Sequence, residues 1–366
     1  MRVIIAKKLL STVGGSEALA RALAAALAAR GHDVSLVALK PAWPRPGIPV
    51  GPGDLQTDIA GARATFLATP FAAADGLLPT ALISAERFAP FFRGADVVHS
   101  IAREWVGPLE RATRAAGAAF VETPLVHPGQ PFSGAGSGDI ARYRRDDAVL
   151  ALTESEAGWY ATAGVTRTHV TGIGIMPAAP PAVAREPATV LFVGRKERYK
   201  GYDALRCAAP LIWRERPDAR FVVIGQRRFL GPAPLSDARW SEPGVVSESE
   251  KAQAYARATV FAMPSDHETF GFTYLEAWLA GCPVIAGDIP PLREVVRDGI
   301  DGLHCANEPA AIARAILELL ADPARARAMA AAGRERTLER WTWPAVAERT
   351  ERAYETAITR ARRSRA

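Results

Sequence analysis

The chain has 366 residues, which is long for one ordinary domain and suits two of roughly 150 to 200 residues. Hydrophobic residues make up 49% and charged residues 23%, a normal globular balance that can fill two cores. The net charge is +6, but the 45 basic and 39 acidic residues are interspersed, so we expect no nucleic-acid partner.

Three cysteines, at 207, 282 and 305, lack metal-ligand spacing and fit a reducing compartment. The opening MRVIIAKK lacks the long apolar core of a secretory signal, and no stretch reaches about 18 uncharged apolar residues. We therefore expect a cytoplasmic protein without a membrane span. The arginine-rich tail at 360–365 predicts a frayed solubilising end, and weak peripheral attraction to an anionic inner membrane face is the alternative.

The first half of the chain opens as strand, loop, helix and strand, in the ranges 3–6, 11–16, 17–29 and 34–39. Near-continuous apolar strands joined by a helix are typical of a parallel sheet covered on both faces, so the fold class is α/β. The further predicted elements are a loop at 41–54, a helix near 81–92, strands at 96–99, 119–122 and 149–153, and a Gly-rich loop at 129–138.

The proline-rich stretch 177–187 predicts a linker, after which the α/β pattern restarts. We expect strands at 189–193, 220–224, 260–262 and 283–286, and helices near 202–215, 273–280 and 309–321. The predicted domains are 1–178 and 179–342, followed by a C-terminal helix, 343–366, that packs back on the first domain. Two facing doubly wound domains would form a cleft at the carboxyl ends of both sheets.

The run PSDHETFGFTYLEAWLAGCP, residues 264–283, is the most informative stretch. We expect Glu268 in a loop after a strand and Glu276 about one turn into the following helix. Gly271 lets the backbone approach a ligand closely, and the free N–H groups at the helix start favour a phosphate or a sugar hydroxyl. Ionised glutamates accept hydrogen bonds from sugar hydroxyls. The spacing of the two glutamates alone is also common in unrelated sequences.

A second constellation lies in LFVGRKERYKGYDAL, residues 191–205. A strand is followed by Arg195 and then by Lys200 at the start of a helix, an arrangement that can hold a pyrophosphate. The order of a Walker P-loop is missing. The alternative is that these are solvated surface charges.

These motifs resemble those of the retaining GT-B glycosyltransferases typified by bacterial mannosyltransferases, sucrose synthase and glycogen synthase. The second half carries four of them in order, VGR-x4-KG (193–201), PS-x2-E-x-FG-x3-LEA (264–277), AGCPVIA (280–286) and REVVRDG-x2-GL (293–303). The first half resembles the family more loosely, through residues 14–34. The resemblance implies two facing Rossmann-like domains with an interdomain cleft, the first binding the acceptor and the second the nucleotide-sugar donor.

The resemblance also implies roles for the matched positions. Arg195 and Lys200 neutralise the donor diphosphate without a metal ion. Glu268 contacts hydroxyls of the transferred sugar, and Glu276 holds the ribose hydroxyls. The other donor-binding positions, which contribute backbone, are Gly14, Gly15, Phe270, Gly271 and Phe272.

One position departs from the family pattern. Where many relatives carry a histidine two residues after a threonine, this chain has Leu125, and a histidine stands two residues further on. The implied catalytic residues are His127, Glu268, Arg195 and Lys200. The alternative for His127 is a loop histidine satisfied by backbone groups. The further candidates near the site are His99, Glu122, Thr123 and His267.

The implied reaction is retaining transfer of a hexose from a UDP- or GDP-sugar to an acceptor hydroxyl, with no cofactor. The acceptor is a small molecule, a glycan or a lipid-linked sugar. The alternatives are an inactive nucleotide-sugar-binding protein of this fold and a nucleotide-sugar epimerase. An NAD-dependent dehydrogenase is disfavoured, because the GGSEAL loop lacks GxGxxG spacing and GAGSG (134–138) has no helix pattern after it.

Overall fold

A computed structural model describes residues 1–11, 14–40, 47–48, 53–68, 83–103, 105–130, 133–228 and 231–365. These residues divide into two compact units, one of Met1–Gly174 with Trp343–Ala366 and one of Ile175–Thr342. The first boundary lies between Gly174 and Ile175 rather than at 178/179, within an irregular stretch that contains the predicted linker. None of the helices in these described ranges is long and apolar enough to cross a membrane.

The first unit is built on an eight-stranded sheet in the order β3-β4-β2-β1-β5-β6-β7-β8. Its strands are β1 Arg2–Ala6, β2 Asp33–Leu39, β3 Leu55–Ile59, β4 Ala62–Leu67, β5 Val97–Ile101, β6 Ala119–Thr123, β7 Ala148–Ala151 and β8 Thr168–Val170. All neighbours pair in parallel except β3 and β4. The central strands are buried along their length, because helices cover both faces.

The helices of this unit are α1 Gly15–Ala29, α2 Ala89–Phe92, α3 Val106–Ala116, α4 Ser137–Tyr143, α5 Glu154–Thr162 and, from the end of the chain, α12 Trp343–Arg363. A helix and a β-hairpin of this unit differ from the sequence analysis. Helix α4 begins inside the GAGSG stretch, where we predicted only a loop. The β3–β4 hairpin was not predicted, because β3 is a polar, exposed edge strand with no apolar alternation.

Helix α12 packs against α1, β5, β6 and β7. The Tyr354 hydroxyl lies 2.7 Å from Nδ1 of His99, and Nε2 of the same ring lies 2.7 Å from Oγ1 of Thr123. All three residues are buried, and burial lowers the pKa of His99 to about 3, so this ring is neutral at pH 7. His99 therefore anchors the last helix inside the unit and is no candidate for substrate contact.

The arginine-rich tail is ordered, which corrects the prediction of a frayed end. Arg365 donates to the carbonyl oxygens of Gly117 and Ala118, just before β6. Arg360 donates to the carbonyl of Asp147, just before β7, at 3.3 Å. These guanidinium groups satisfy backbone acceptors at the amino ends of two strands.

The second unit contains a six-stranded, fully parallel sheet in the order β11-β10-β9-β12-β13-β14. Its strands are β9 Thr189–Val193, β10 Arg220–Ile224, β11 Trp240–Gly244, β12 Val260–Met263, β13 Val284–Gly287 and β14 Gly302–Cys305. Its helices are α6 Tyr202–Glu215, α7 Glu248–Arg257, α8 Phe272–Leu279, α9 Pro290–Val295, α10 Pro309–Ala321 and α11 Pro323–Arg340. The predicted class of two Rossmann-like, doubly wound α/β domains is confirmed.

In the second sheet the strand order reverses at β9, which has β10 on one side and β12 on the other. In an open parallel sheet, the loops that leave the two strands flanking such a reversal diverge to opposite faces and open a crevice. The loops after β9 and β12 carry the two predicted donor motifs. The topology therefore places those motifs where such a sheet binds its ligand.

We predict that Tyr354→Phe destabilises the chain by about 1–3 kcal/mol, because a buried nitrogen of His99 would lose its hydroxyl partner. Chemical denaturation measures this loss. Glu355→Gln, on the exposed side of the same helix, is the control and should change stability by less than about 0.5 kcal/mol. An equal, small effect of both changes would contradict the anchoring role of the His99 contact.

Candidate active site

The loops after β9 and β12 are in direct contact. Gly201 has φ +83, and a Cβ there would lie 2.7 Å from Pro264, so this position needs glycine. The Asp266 N–H donates to the carbonyl of Tyr199 at 2.7 Å. The Asn307 amide donates to Asp266 at 2.6 Å and to the carbonyl of Arg198 at 3.2 Å. The two motifs therefore pack against each other.

Where the two motifs meet, Lys200 forms an ion pair with Glu268, and both side chains are largely buried, with 14% and 11% exposed. Arg195 is exposed and donates a hydrogen bond to the Tyr199 hydroxyl. Its guanidinium lies 5.9 Å from the centre of the Tyr199 ring, and the Lys200 ammonium lies 5.5 Å from it. One aromatic ring thus lies beside both predicted diphosphate-binding cations.

Helix α8 begins directly after this pair, with Gly271 at its N-cap. Gly271 has φ +88, and a Cβ there would lie 2.3 Å from the buried ring of Tyr274. The side chain of Phe270 faces the core, 5.5 Å from the Trp341 ring, while Phe272 is half-buried. The helix begins four residues after Glu268, and the positive end of its dipole there suits an anionic ligand.

Glu276 lies on α8, one turn past its start, and its carboxylate is held from α7. Lys251 Nζ lies 2.8 Å from Oε1, and the Tyr255 hydroxyl donates to Oε2 at 2.9 Å. Burial raises the pKa of Glu276, and the charge of Lys251 together with both hydrogen bonds opposes that rise. The sequence analysis did not identify Lys251 or Tyr255; their i, i+4 spacing on a helix was the available signal.

In the first unit, Gly14 is the N-cap of α1 with φ +124, and Gly15 opens the helix. A Cβ at Gly14 would lie 2.2 Å from the carboxylate of Glu17. That carboxylate lies 3.6 Å from the ammonium of Lys7, which is 2% exposed at the end of β1. Gly14 therefore packs against a lysine–glutamate pair that the sequence analysis did not single out.

His127 follows β6 and lies in a turn held from both sides. Ser133 donates its hydroxyl to the His127 carbonyl at 2.6 Å, and the preceding Leu125 has φ +58. The carboxylate of Glu156 accepts hydrogen bonds from the backbone N–H groups of Val126 and Leu152, so it joins this turn to the loop after β7. The imidazole of His127 is half-buried.

Two of the further candidates are buried in the first unit. Glu122 is fully buried and accepts a hydrogen bond from Arg142 at 3.0 Å, and Thr123 is buried beside His99. These two side chains are therefore not accessible to a substrate, which rules them out as site residues. His267 remains beside the predicted donor site, with its ring 6.2 Å from that of Tyr199.

Two family models match the chain. The "Glycosyl transferase 4-like domain" matches residues 14–174, and "Glycosyl transferases group 1" matches residues 179–336. Among similar proteins, a phosphatidyl-myo-inositol mannosyltransferase of Mycobacterium leprae is 35% identical over 179 residues, 47% of each chain. A glycogen synthase of Mycobacterium tuberculosis is 32% identical over 206 residues, 52% of this chain and 49% of that protein. The chain spans about half the length of the curated relatives it matches.

Solved structures match nearly the whole chain. Sucrose-phosphate synthase from Thermosynechococcus elongatus has a TM-score of 0.78 at 21% identity, covering 98% of this chain and 100% of that one. HepE from Anabaena, in complex with UDP and glucose, has a TM-score of 0.76 at 16% identity, covering 97% and 100%. This likeness defines the GT-B fold. The chain belongs to the group 1 glycosyltransferases, with a first domain of the 4-like kind, as its motifs indicated.

We predict that Gly271→Ala destabilises the chain more than Gly299→Ala does. Both glycines have positive φ, which costs alanine about 1–2 kcal/mol, but only Gly271 has a ring in the way, for about 1–3 kcal/mol more. Gly299 has nothing within 4 Å of its Cβ position and is the matched control. Denaturation of both variants tests this, and equal losses would contradict the close contact with Tyr274.

We also predict that Glu156 makes stability depend on pH. Burial raises its pKa from 4.5 to about 7, although three hydrogen bonds oppose that rise. The folded chain then binds more protons than the unfolded chain between these values, so the contribution of Glu156 to stability falls as pH rises from 4.5 to 7 and is constant outside that window. The rise is worth about 3 kcal/mol.

The measurement compares wild type with Glu156→Gln, which cannot ionise, by chemical denaturation at several pH values. Relative to this variant, wild type should lose about 3 kcal/mol between pH 4.5 and pH 7.5. Glu154→Gln, exposed in the first turn of the same helix, is the control and should follow wild type. A pH-independent difference between wild type and Glu156→Gln would contradict the raised pKa.

Proposed function

We propose that this chain is a retaining glycosyltransferase that moves a hexose from a UDP- or GDP-sugar to an acceptor hydroxyl without a metal ion. The observation that best supports this proposal is the Lys200–Glu268 pair. Arg195 lies in the same loop as Lys200, and α8 begins shortly after Glu268 with Gly271 as its N-cap. This arrangement offers two cations for a diphosphate and a carboxylate for sugar hydroxyls, at the crevice where a doubly wound sheet binds nucleotides.

Breaking the anomeric bond leaves negative charge on the departing diphosphate. Fixed cations at that point therefore act mainly in the transition state, where the charge is greatest. Arg195 offers a planar fork and Lys200 a point charge, and a diphosphate can use both. In this proposal two side-chain cations and the N–H groups of α8 supply the stabilisation that a bound metal ion would otherwise supply.

Lys200 is already paired with Glu268, so donor binding requires an exchange of partners. The diphosphate takes the ammonium, and the carboxylate is released to accept hydrogen bonds from the hydroxyls of the transferred sugar. The exchange replaces one charge pair with another and leaves no buried charge without a partner. Retention then follows from attack on the same face that the diphosphate leaves, with a phosphate oxygen taking the acceptor proton.

The acceptor belongs to the first unit in this proposal, where His127 is the catalytic candidate. The relatives are named for acceptors as different as phosphatidyl-myo-inositol and glycogen. A 4-like domain therefore leaves the acceptor open, and we assign only a hydroxyl on a small molecule, a glycan or a lipid-linked sugar.

The deciding experiment is calorimetric binding of UDP, GDP, ADP and CDP with EDTA present, repeated on Arg195→Ala and Lys200→Ala. We expect one nucleotide to bind wild type without metal and about tenfold or more weaker to each variant, because each loses a charge-assisted contact. Arg198→Ala, an exposed arginine of the same loop, is the matched control and should bind as wild type does.

Transfer is then assayed with the matching sugar nucleotides, and the anomeric configuration of the product is read by NMR. Binding that is lost with EDTA would overturn the metal-independent part of the proposal. Nucleotide binding that is changed by neither Arg195→Ala nor Lys200→Ala would overturn the assignment of the diphosphate site. A product of inverted configuration would overturn retention alone.

A further inference from the structure

Helix α7 carries a lysine and a tyrosine on one face. Ser247 and Glu250 form a reciprocal cap in which the Glu250 N–H donates to the Ser247 hydroxyl at 3.2 Å and the Ser247 N–H donates to the Glu250 carboxylate at 2.9 Å. This cap fixes the first turn of the helix. Since residues four apart lie on the same face, Lys251 and Tyr255 both face α8.

These two side chains occupy both oxygens of one carboxylate. Lys251 lies 2.8 Å from Oε1 of Glu276, and Tyr255 donates to Oε2 at 2.9 Å. Tyr255 is 2% exposed. Lys251 is held in turn by Glu248, at 2.7 Å, whose side chain is 86% exposed. The carboxylate cannot rotate about its last bond without breaking one of these contacts.

We propose that Lys251 and Tyr255 are positioning residues that orient the Glu276 carboxylate for the vicinal hydroxyls of the donor's ribose, and that they thereby set the discrimination between ribose and deoxyribose. This inference rests on the proposed function, because it takes the ligand of the second unit to be a nucleoside diphosphate. It adds a specificity device on α7, a helix that carries neither donor motif.

The acceptor capacity of the carboxylate matches a diol. An ionised carboxylate has about four acceptor positions, and Lys251 and Tyr255 use one on each oxygen. One position on each oxygen is left for two hydroxyl donors. Glu276 is 14% exposed, so a ligand can approach it. A single hydroxyl would leave one of these acceptor positions unused.

Lys251 also controls the charge of the carboxylate. Burial raises the pKa of Glu276, and the lysine opposes that rise. Without the lysine the carboxyl would hold its proton to higher pH, and a protonated carboxyl donates one hydrogen bond and accepts fewer. A variant without this charge should therefore bind the diol poorly at low pH and recover as pH rises.

The test is calorimetry on the full chain with four probes: the nucleoside diphosphate that wild type binds, its 2′-deoxy form, its 3′-deoxy form and inorganic pyrophosphate. The variants are Lys251→Met, Tyr255→Phe and Glu276→Gln, with Lys251→Met/Glu276→Gln to close a cycle. Arg257→Met, which removes an exposed positive charge from the same helix, is the matched control. Thermal denaturation checks that each variant is folded.

We expect Lys251→Met to weaken nucleoside diphosphate binding about tenfold or more, and Tyr255→Phe by a smaller factor of about three to tenfold. Both should reduce the preference for ribose over the deoxy forms and leave pyrophosphate binding unchanged. The Lys251→Met defect should shrink from pH 6 to pH 9 and should be nearly absent in the Glu276→Gln background. Arg257→Met should bind every probe as wild type does.

Undiminished ribose preference in both single variants would overturn the positioning role. An equal loss of pyrophosphate binding would also overturn it, because the effect would then be a general disturbance of the site. If Lys251→Met does not fold, Tyr255→Phe decides by the same two criteria. If wild type binds pyrophosphate but no nucleoside diphosphate, the proposed function fails first, and this inference fails with it.

Discussion

The reversal of strand order at β9 is the constraint on which the rest of the second unit depends. Because β9 pairs with β10 on one side and β12 on the other, the chain must leave the two central strands toward opposite faces. The departing loops remain in contact at Gly201 and Pro264, where a Cβ on Gly201 would not fit. The Gly-bearing motifs are therefore requirements of the fold as well as of the site.

The same packing determines where charge can be buried. Lys200 and Glu268 come from the two loops that meet there, and neither could be so little exposed without the other. Glu276 follows the same rule with Lys251, one helix away. The candidate site thus contains two carboxylates, each already paired with a lysine.

The sequence predicted the four central strands of the second unit, β9, β10, β12 and β13, because each is a short, largely apolar run. It did not predict the edge strands β11 and β14, and β11, WSEPG, has no apolar run. The β3 strand, LQTDI, carries no such signal because it is an exposed edge. Helix α4 was missed because its first turn, with Ser137 and Gly138, is composed of weak helix formers.

The sequence also could not predict which distant residues a side chain contacts. His99 ends the predicted strand 96–99 and was a candidate near the site, but it lies in the middle of β5 and its ring contacts Tyr354 of α12, 255 residues away. Lys251 and Glu276 are related in the same way, through the packing of α7 on α8.

The two units also differ in where their ionisable side chains lie. In the second unit Arg195, Lys200 and Glu268 lie in the loops after β9 and β12, and part of each side chain is exposed. In the first unit His99, Glu122 and Glu156, whose pKa values are shifted by burial, lie inside the fold and hold its loops and last helix in place. A shifted pKa therefore does not by itself identify a binding residue, and Glu276, whose pKa is also raised by burial, differs from these groups in that 14% of its side chain is exposed.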